Sequence, residues 1–247
     1  MKHLIKEMLR VFGYEIRKIT SAYVDTPFEE TENGKFVNLL RKHSIDLVFD
    51  VGANNGTWAL ELRESGYNGE IVSIEPYQKS YNLLKEKAVK DKKWKTLHCA
   101  IGDYEGKTTL YVASNTLSSS LCKMTDKHLE GAKDSKYVGS EKVDVKKLDN
   151  YVNKVRGKNV FIKIDTQGFE KRILKGSNLV MPNVKGLQVE MSFKKLYEGE
   201  ITLFEMLDYI NELGFNLQYL NNGFKHEKTG ELLQVDGIFY RNHDNLI

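Results

Sequence analysis

The chain has 247 residues, 40% of them apolar and 11% aromatic, with three prolines and a formal net charge of +3. That composition excludes a disordered chain, and the length suits one large domain. Residues 1–20 hold five basic and two acidic side chains, so the rest of the chain is neutral and lacks the basic face that nucleic-acid binding needs. No window reaches the roughly 18 apolar residues of a membrane span, and the start is too punctuated by charge for a signal peptide. Cys99 and Cys122 form neither a disulfide framework nor a metal spacing. A cytoplasmic protein without a nucleic-acid partner is therefore expected.

In chain order, residues 1–45 read as an N-terminal helical extension. Within it Leu4, Ile5, Met8, Leu9 and Phe12 share one helical face and Lys2, Lys6 and Arg10 another. Such an arm suits docking on the domain, docking on a second copy in a homodimer, or peripheral contact with an anionic membrane through residues 1–20. From residue 46 short apolar strands alternate with helices. Strands are expected at 46–51, 71–75, 95–100, 159–165 and 186–191, and helices at 57–65, 77–90, 168–176 and 202–213. Thr202 and Glu205 form a capping box ahead of the last helix. The runs "FNLQYL" and "LQVDGIFY" are expected to pair antiparallel. This α/β alternation predicts an open doubly wound sheet over 46–247. The segment 103–150 breaks the rhythm with two further strand-like runs flanking "SNTLSSSL" and reads as an insertion over one sheet edge.

The turn "DVGANNGT", from Asp50 to Thr57, joins the first strand to the first helix with almost no side chain. Gly52, Ala53, Asn54 and Gly56 leave bare backbone where a ligand can approach the helix N-terminus. Position 54 would be glycine in a pyrophosphate cradle and is asparagine here. Glu75, 23 residues after Gly52 and followed by Pro76, stands where a ribose diol would be held. Ala100 and Ile101 suit a flat apolar slot for an adenine ring, and Asp103 could accept from its exocyclic amine. A nucleoside without pyrophosphate points to S-adenosylmethionine (SAM). The alternatives are a nucleotide-sugar or NAD-dependent oxidoreductase, which would want a glycine at 54 and a well-placed Tyr-x-x-x-Lys pair, and a catalytically inert SAM-binding subunit.

The stretches "FDVGANNGTWA", "SIEPY", "AIGDYEG", "LSSSL", "VDVKKLD", "FIKIDTQGFE" and "LQVEMS", in this order, resemble the FkbM family of SAM-dependent methyltransferases over roughly 45–240. The resemblance implies a class I methyltransferase (Rossmann-like) fold: seven strands, mostly parallel, with helices on both faces and an antiparallel last strand. It implies O-methylation of a hydroxyl on a sugar, a polysaccharide precursor or another small molecule. It also implies that Asp50, Gly52, Asn54 and Gly56 line the methionine end of SAM, that Glu75 holds the ribose and that Asp103 sits by the adenine. Lys163, Asp165, Gly168 and Glu170 match the family's "KIDxEGxE" stretch and Glu190 its acidic residue on the next strand, whereas Gln167 stands where glutamate is usual.

A sugar hydroxyl is a weak nucleophile, so a base or cation beside it helps transfer. Asp165 and Glu190, at the carboxyl ends of neighbouring strands, are the expected catalytic carboxylates. Lys163 is anomalous within an apolar strand and needs a charged partner, Asp165 or Glu190, unless it contacts a ligand directly. A divalent metal with Asp165 and Glu190 as oxygen ligands is an open alternative, but no third ligand is tied to the two acids by spacing, so it is not predicted. His98 is expected to pack within its strand and His128 to lie on the surface of the insertion.

Overall fold

A computed structural model describes residues 32–241; the arm at 1–20, its membrane reading included, lies outside the described residues. The central sheet contains β1 (Leu47–Val51), β2 (Glu70–Ile74), β3 (Trp94–Leu97), β7 (Val160–Ile164), β8 (Val184–Ser192), β9 (Phe215–Asn222) and β10 (Gln234–Arg241). Their order is β3-β2-β1-β7-β8-β10-β9. The first five of that row run parallel, and β10 is antiparallel to both β8 and β9. This is the class I methyltransferase arrangement, with the strand order reversing between β1 and β7.

Both central strands are buried along their whole length, as a sheet covered on two faces requires. One face packs α6 (Glu170–Lys175) and α7 (Leu203–Glu212), through Ile173, Leu174, Met206 and Ile210, onto Phe49, Ile162 and Leu187. The other packs α1 (Glu32–Lys42), α2 (Thr57–Glu64) and α3 (Gln78–Ala88), through Val37, Leu40, Ala59 and Leu84, onto Val48, Ile71 and Phe161. Helix α1, in the segment read as an extension, thus shares a core with the sheet. The Thr202–Glu205 capping box forms as its spacing predicts, with Glu205 accepting from the Thr202 amide.

Segment 103–150 supplies β5 (Gly106–Ala113) and β6 (Tyr137–Lys146), which with β4 (Ala100–Ile101) just before it form a second sheet of order β4-β6-β5. The strand expected over 95–100 therefore splits: β3 stays in the main sheet and β4 joins the second. His98 falls in the break, exposed and stacked on Tyr81 at 4.6 Å, which corrects the in-strand reading. Between β5 and β6, α4 (Asp126–Gly131) turns His128 inward, and the single turn α5 (Val152–Val155) precedes β7. His128 is 2% exposed against Tyr197 and Phe224, a correction to its expected surface position. Burial without a partner pushes its imidazole down to about 4, so it is neutral packing at physiological pH.

Candidate active site

The carboxyl ends of β1 and β7 meet at the switch point, where open α/β sheets bind ligands. Gly52 has φ +79°, and a Cβ on it would lie 1.9 Å from the Asp165 carbonyl oxygen, so only glycine lets the two ends touch. The second turn is equally constrained. Gln167 and Gly168 have φ of +60° and +97°, and a Cβ at 168 would meet Tyr197 at 2.6 Å. Glu170 braces that turn by accepting from the amides of Thr166 (2.9 Å) and Gly168 (3.2 Å) and from the Thr166 hydroxyl. Burial, with Glu200 nearby, pushes its carboxyl up to about 7 against those bonds. The helix expected from 168 consequently starts at Glu170.

These two turns floor a cavity walled by Glu75 and Pro76, by Ala100 and Ile101, and by residues 116–121 of the insertion. Of the predicted cofactor residues, Gly52, Ala53, Asn54, Thr57, Glu75, Pro76, Ala100 and Ile101 line it, as do Lys163 and Asp165. Glu75 accepts the amides of Asn54 and Tyr77, each at 2.8 Å, which fixes it at the cavity wall with lone pairs to spare. Burial pushes its carboxyl up to about 7 despite those bonds. Ile101 and Ala100, with Leu110 and Leu121 of the insertion, make an apolar slot beside it. A buried acceptor for a diol, an apolar slot and a bare turn fit an adenosine-bearing cofactor.

Four predicted residues do not face the cavity. Gly56 packs on Leu84 of α3. Asp103 is held by Arg172 of α6 at 2.8 and 2.9 Å, which takes its carboxylate away from the slot. Asp50 is fully buried beneath the turn, accepting from the Ser73 hydroxyl at 2.9 Å and lying 3.4 Å from the Lys163 ammonium. Glu190 is bonded instead to the amides of Gln167 (2.6 Å) and Gln234 (2.9 Å). Burial and the neighbouring carboxylates of Asp165 and Glu170 raise its pKa well above the usual range.

Lys163 joins Asp50 and Asp165, each at 3.4 Å, so its partners are Asp165 as expected and Asp50, with Glu190 excluded from the pair. Burial alone would lower its pKa, but the two carboxylates outweigh that and hold the ammonium charged. Gln167 donates to both Asp165 (3.1 Å) and Glu190 (2.6 Å) and accepts from Tyr197 at 2.8 Å. A glutamate there would bring a third acid onto the same two groups; the amide instead ties them together. The serine-rich stretch does two jobs: Asn115 caps the turn at Thr116–Ser118, and Thr116, Ser119 and Ser120 line the cavity.

The lining residues that sequence reasoning missed include Trp58, Gln188 and Asp236. The one available signal was an aspartate interrupting the apolar run "LQVDGIFY". Among the described residues, no group of three His, Cys, Asp or Glu could hold a metal ion.

Glu75→Ala is expected to weaken SAM binding by about 2–3 kcal/mol, read by calorimetry, with Glu75→Gln as the shape-preserving control. If Glu75 holds the ribose diol, protonation turns one of its two acceptor oxygens into a donor and weakens the pairing with the two hydroxyls. Affinity should therefore hold above about pH 7 and fall below it, approaching tenfold per unit, as the raised group takes up its proton. Equal affinity at about pH 5.5 and about pH 8 would contradict the assignment.

The model of the methyltransferase FkbM domain matches residues 50–217, about two thirds of the chain. The 2-O-methyltransferase NoeI of Sinorhizobium fredii (strain NBRC 101917 / NGR234) is 22% identical over 214 residues, covering 83% of this chain and 84% of NoeI. Among solved structures, magnesium protoporphyrin IX methyltransferase (ChlM) of Synechocystis PCC 6803 with bound SAM aligns over 98% of this chain and 97% of its own, at TM-score 0.46 and 10% identity. The methyltransferase domain of bacterial CtHen1 aligns over 87% of this chain and 100% of its own, at TM-score 0.45 and 12% identity. By the family match, and in keeping with its strand order, the chain belongs to the FkbM family of SAM-dependent methyltransferases.

Proposed function

We propose that this methyltransferase O-methylates a hydroxyl of a sugar or a related polyhydroxylated metabolite in the cytoplasm. Membership of the FkbM family displaces the oxidoreductase alternative. The observation that carries the reading is Asp165. It is a partly exposed carboxylate that lines the cofactor cavity at the carboxyl end of β7, with a charged lysine and an amide fixing its orientation. The bound sulfonium supplies an electrophilic methyl group. The chain must hold the acceptor hydroxyl in line and take its proton. In this reading Asp165 accepts that proton as the new O–CH3 bond forms and the S–CH3 bond breaks. Lys163, 3.4 Å away, and the Gln167 amide, 3.1 Å away, hold the Asp165 carboxyl in place. The relative named as a 2-O-methyltransferase supports oxygen as the acceptor atom.

Among the described residues no helix is long and apolar enough to cross a membrane. The test is transfer of labelled methyl from SAM to panels of glycans, amines and nucleic acids. Label in the glycans is expected; label confined to amines or nucleic acids would overturn the reading.

A further inference from the structure

Beside the cofactor cavity lies a second, open groove of about 660 Å³ between α1 and the face of β9 and β10. That is within the size range of ligand sites. The two spaces are continuous in their walls, because Trp58 and Gln188 line both.

Strand register explains the continuity. Side chains facing α1 come from alternate residues, and one cross-strand row reads Asp50, Lys163, Gln188, Ile238 and Tyr219 across β1, β7, β8, β10 and β9. The next row toward the site pairs Glu190 with Asp236 and Asp236 with Asn221. A largely polar track therefore crosses a sheet face whose lower part is packed with apolar side chains. It begins at the charged Lys163, which lies 5.5 Å from the Trp58 ring, and ends at an aromatic ring left open on the edge strand. Tyr219 is 56% exposed. Gln188 also bonds Asp236 and Asn38 accepts from Arg41, whereas Tyr219 and Asn221 stand exposed at the far end of the track.

We propose that this groove is the acceptor subsite and that it takes a glycan longer than one sugar ring, which it delivers across Trp58 to Asp165. A pyranose offers apolar C–H faces and a rim of hydroxyls. Aromatic faces at Trp58 and Tyr219 match the first, and the amides of Asn38, Asn221 and Gln188, which both donate and accept, match the second. A compact metabolite would leave the far end of the groove, at Tyr219 and Asn221, unused. The inference rests on the sugar-hydroxyl reading above and extends it to where the acceptor lies and how long it is.

The probes are cello-, chito- and malto-oligosaccharides of one and of four rings, assayed with labelled SAM. In the protein KM should be lower for four rings than for one. Tyr219→Ala and Asn221→Trp, both at exposed positions of the edge strand, should raise KM for four-ring acceptors about tenfold or more and narrow the length dependence. SAM affinity should be unchanged, which also reports that the variants are folded. As a second readout, Trp58 fluorescence should respond to the four-ring glycan in the protein and lose that response in Tyr219→Ala. If glycans are methylated but neither variant changes KM nor the fluorescence response, the groove assignment is overturned while the reaction stands. If no glycan is methylated, the sugar reading fails, and the substrate class given to the groove fails with it.

Discussion

Asp165→Asn is expected to lower the methyl-transfer rate roughly 10²–10⁴-fold, the range spanned by loss of a positioned general base. The asparagine keeps the shape of the side chain and an oxygen for the Gln167 amide, 3.1 Å away in the protein. Lys163 retains Asp50 at 3.4 Å, so the buried ion pair survives. SAM affinity and melting temperature should stay near those of the unaltered protein, because the cofactor's ribose is assigned to Glu75 and the core is untouched. Single-turnover rates at saturating SAM read the effect without interference from product release. A rate equal to that of the unaltered protein would remove Asp165 from the chemistry.

The second large effect is on stability. Lys163→Met should destabilise the fold by about 3–5 kcal/mol, the usual result of stripping one partner from a buried ion pair. For a chain of this size that corresponds to a fall in melting temperature of roughly 6–20 °C. The cause is Asp50, fully buried, whose remaining polar partner is the Ser73 hydroxyl. Adding Asp50→Asn to the Lys163→Met variant should therefore recover much of the loss, since it removes the uncompensated charge. The sign of the pH dependence follows. Burial raises the Asp50 pKa, so lowering the pH protonates this group in the folded Lys163→Met variant and relieves the burden. The gap between the two proteins should shrink toward acid pH, as thermal melts across pH would show. A gap that widens toward acid pH would mean that Lys163 is not there to neutralise Asp50.

Much of this site was legible in the chain because its signals are local. A glycine turn after an apolar strand, an acid at the end of the next strand and a lysine inside an apolar run each announce themselves within a few residues. The structure places Gly52, Glu75 and Lys163 around one cavity. What escaped is set by pairing across the sheet. Asp50 is adjacent to Lys163 because β1 and β7 are register neighbours, a relation between residues more than a hundred positions apart. Gln188 and Asp236 reach the site through the antiparallel placement of β10 beside β8. Asp103 was misplaced because Arg172 from α6 claims its carboxylate. The Gln167 departure became interpretable only once its amide could be seen donating to Asp165 and Glu190 at once.

Transfer to oxygen, with the proton taken at Asp165, is tested most directly by the position of the methyl group on the product. SAM carrying a 13C-labelled methyl, the purified protein and a glycan acceptor give a product whose labelled carbon can be located by NMR through its coupling to the ring. A methyl ether on one ring hydroxyl is expected, formed in the protein and nearly absent with Asp165→Asn. A labelled methyl on nitrogen or carbon, or an ether formed equally fast by the Asp165→Asn variant, would contradict it.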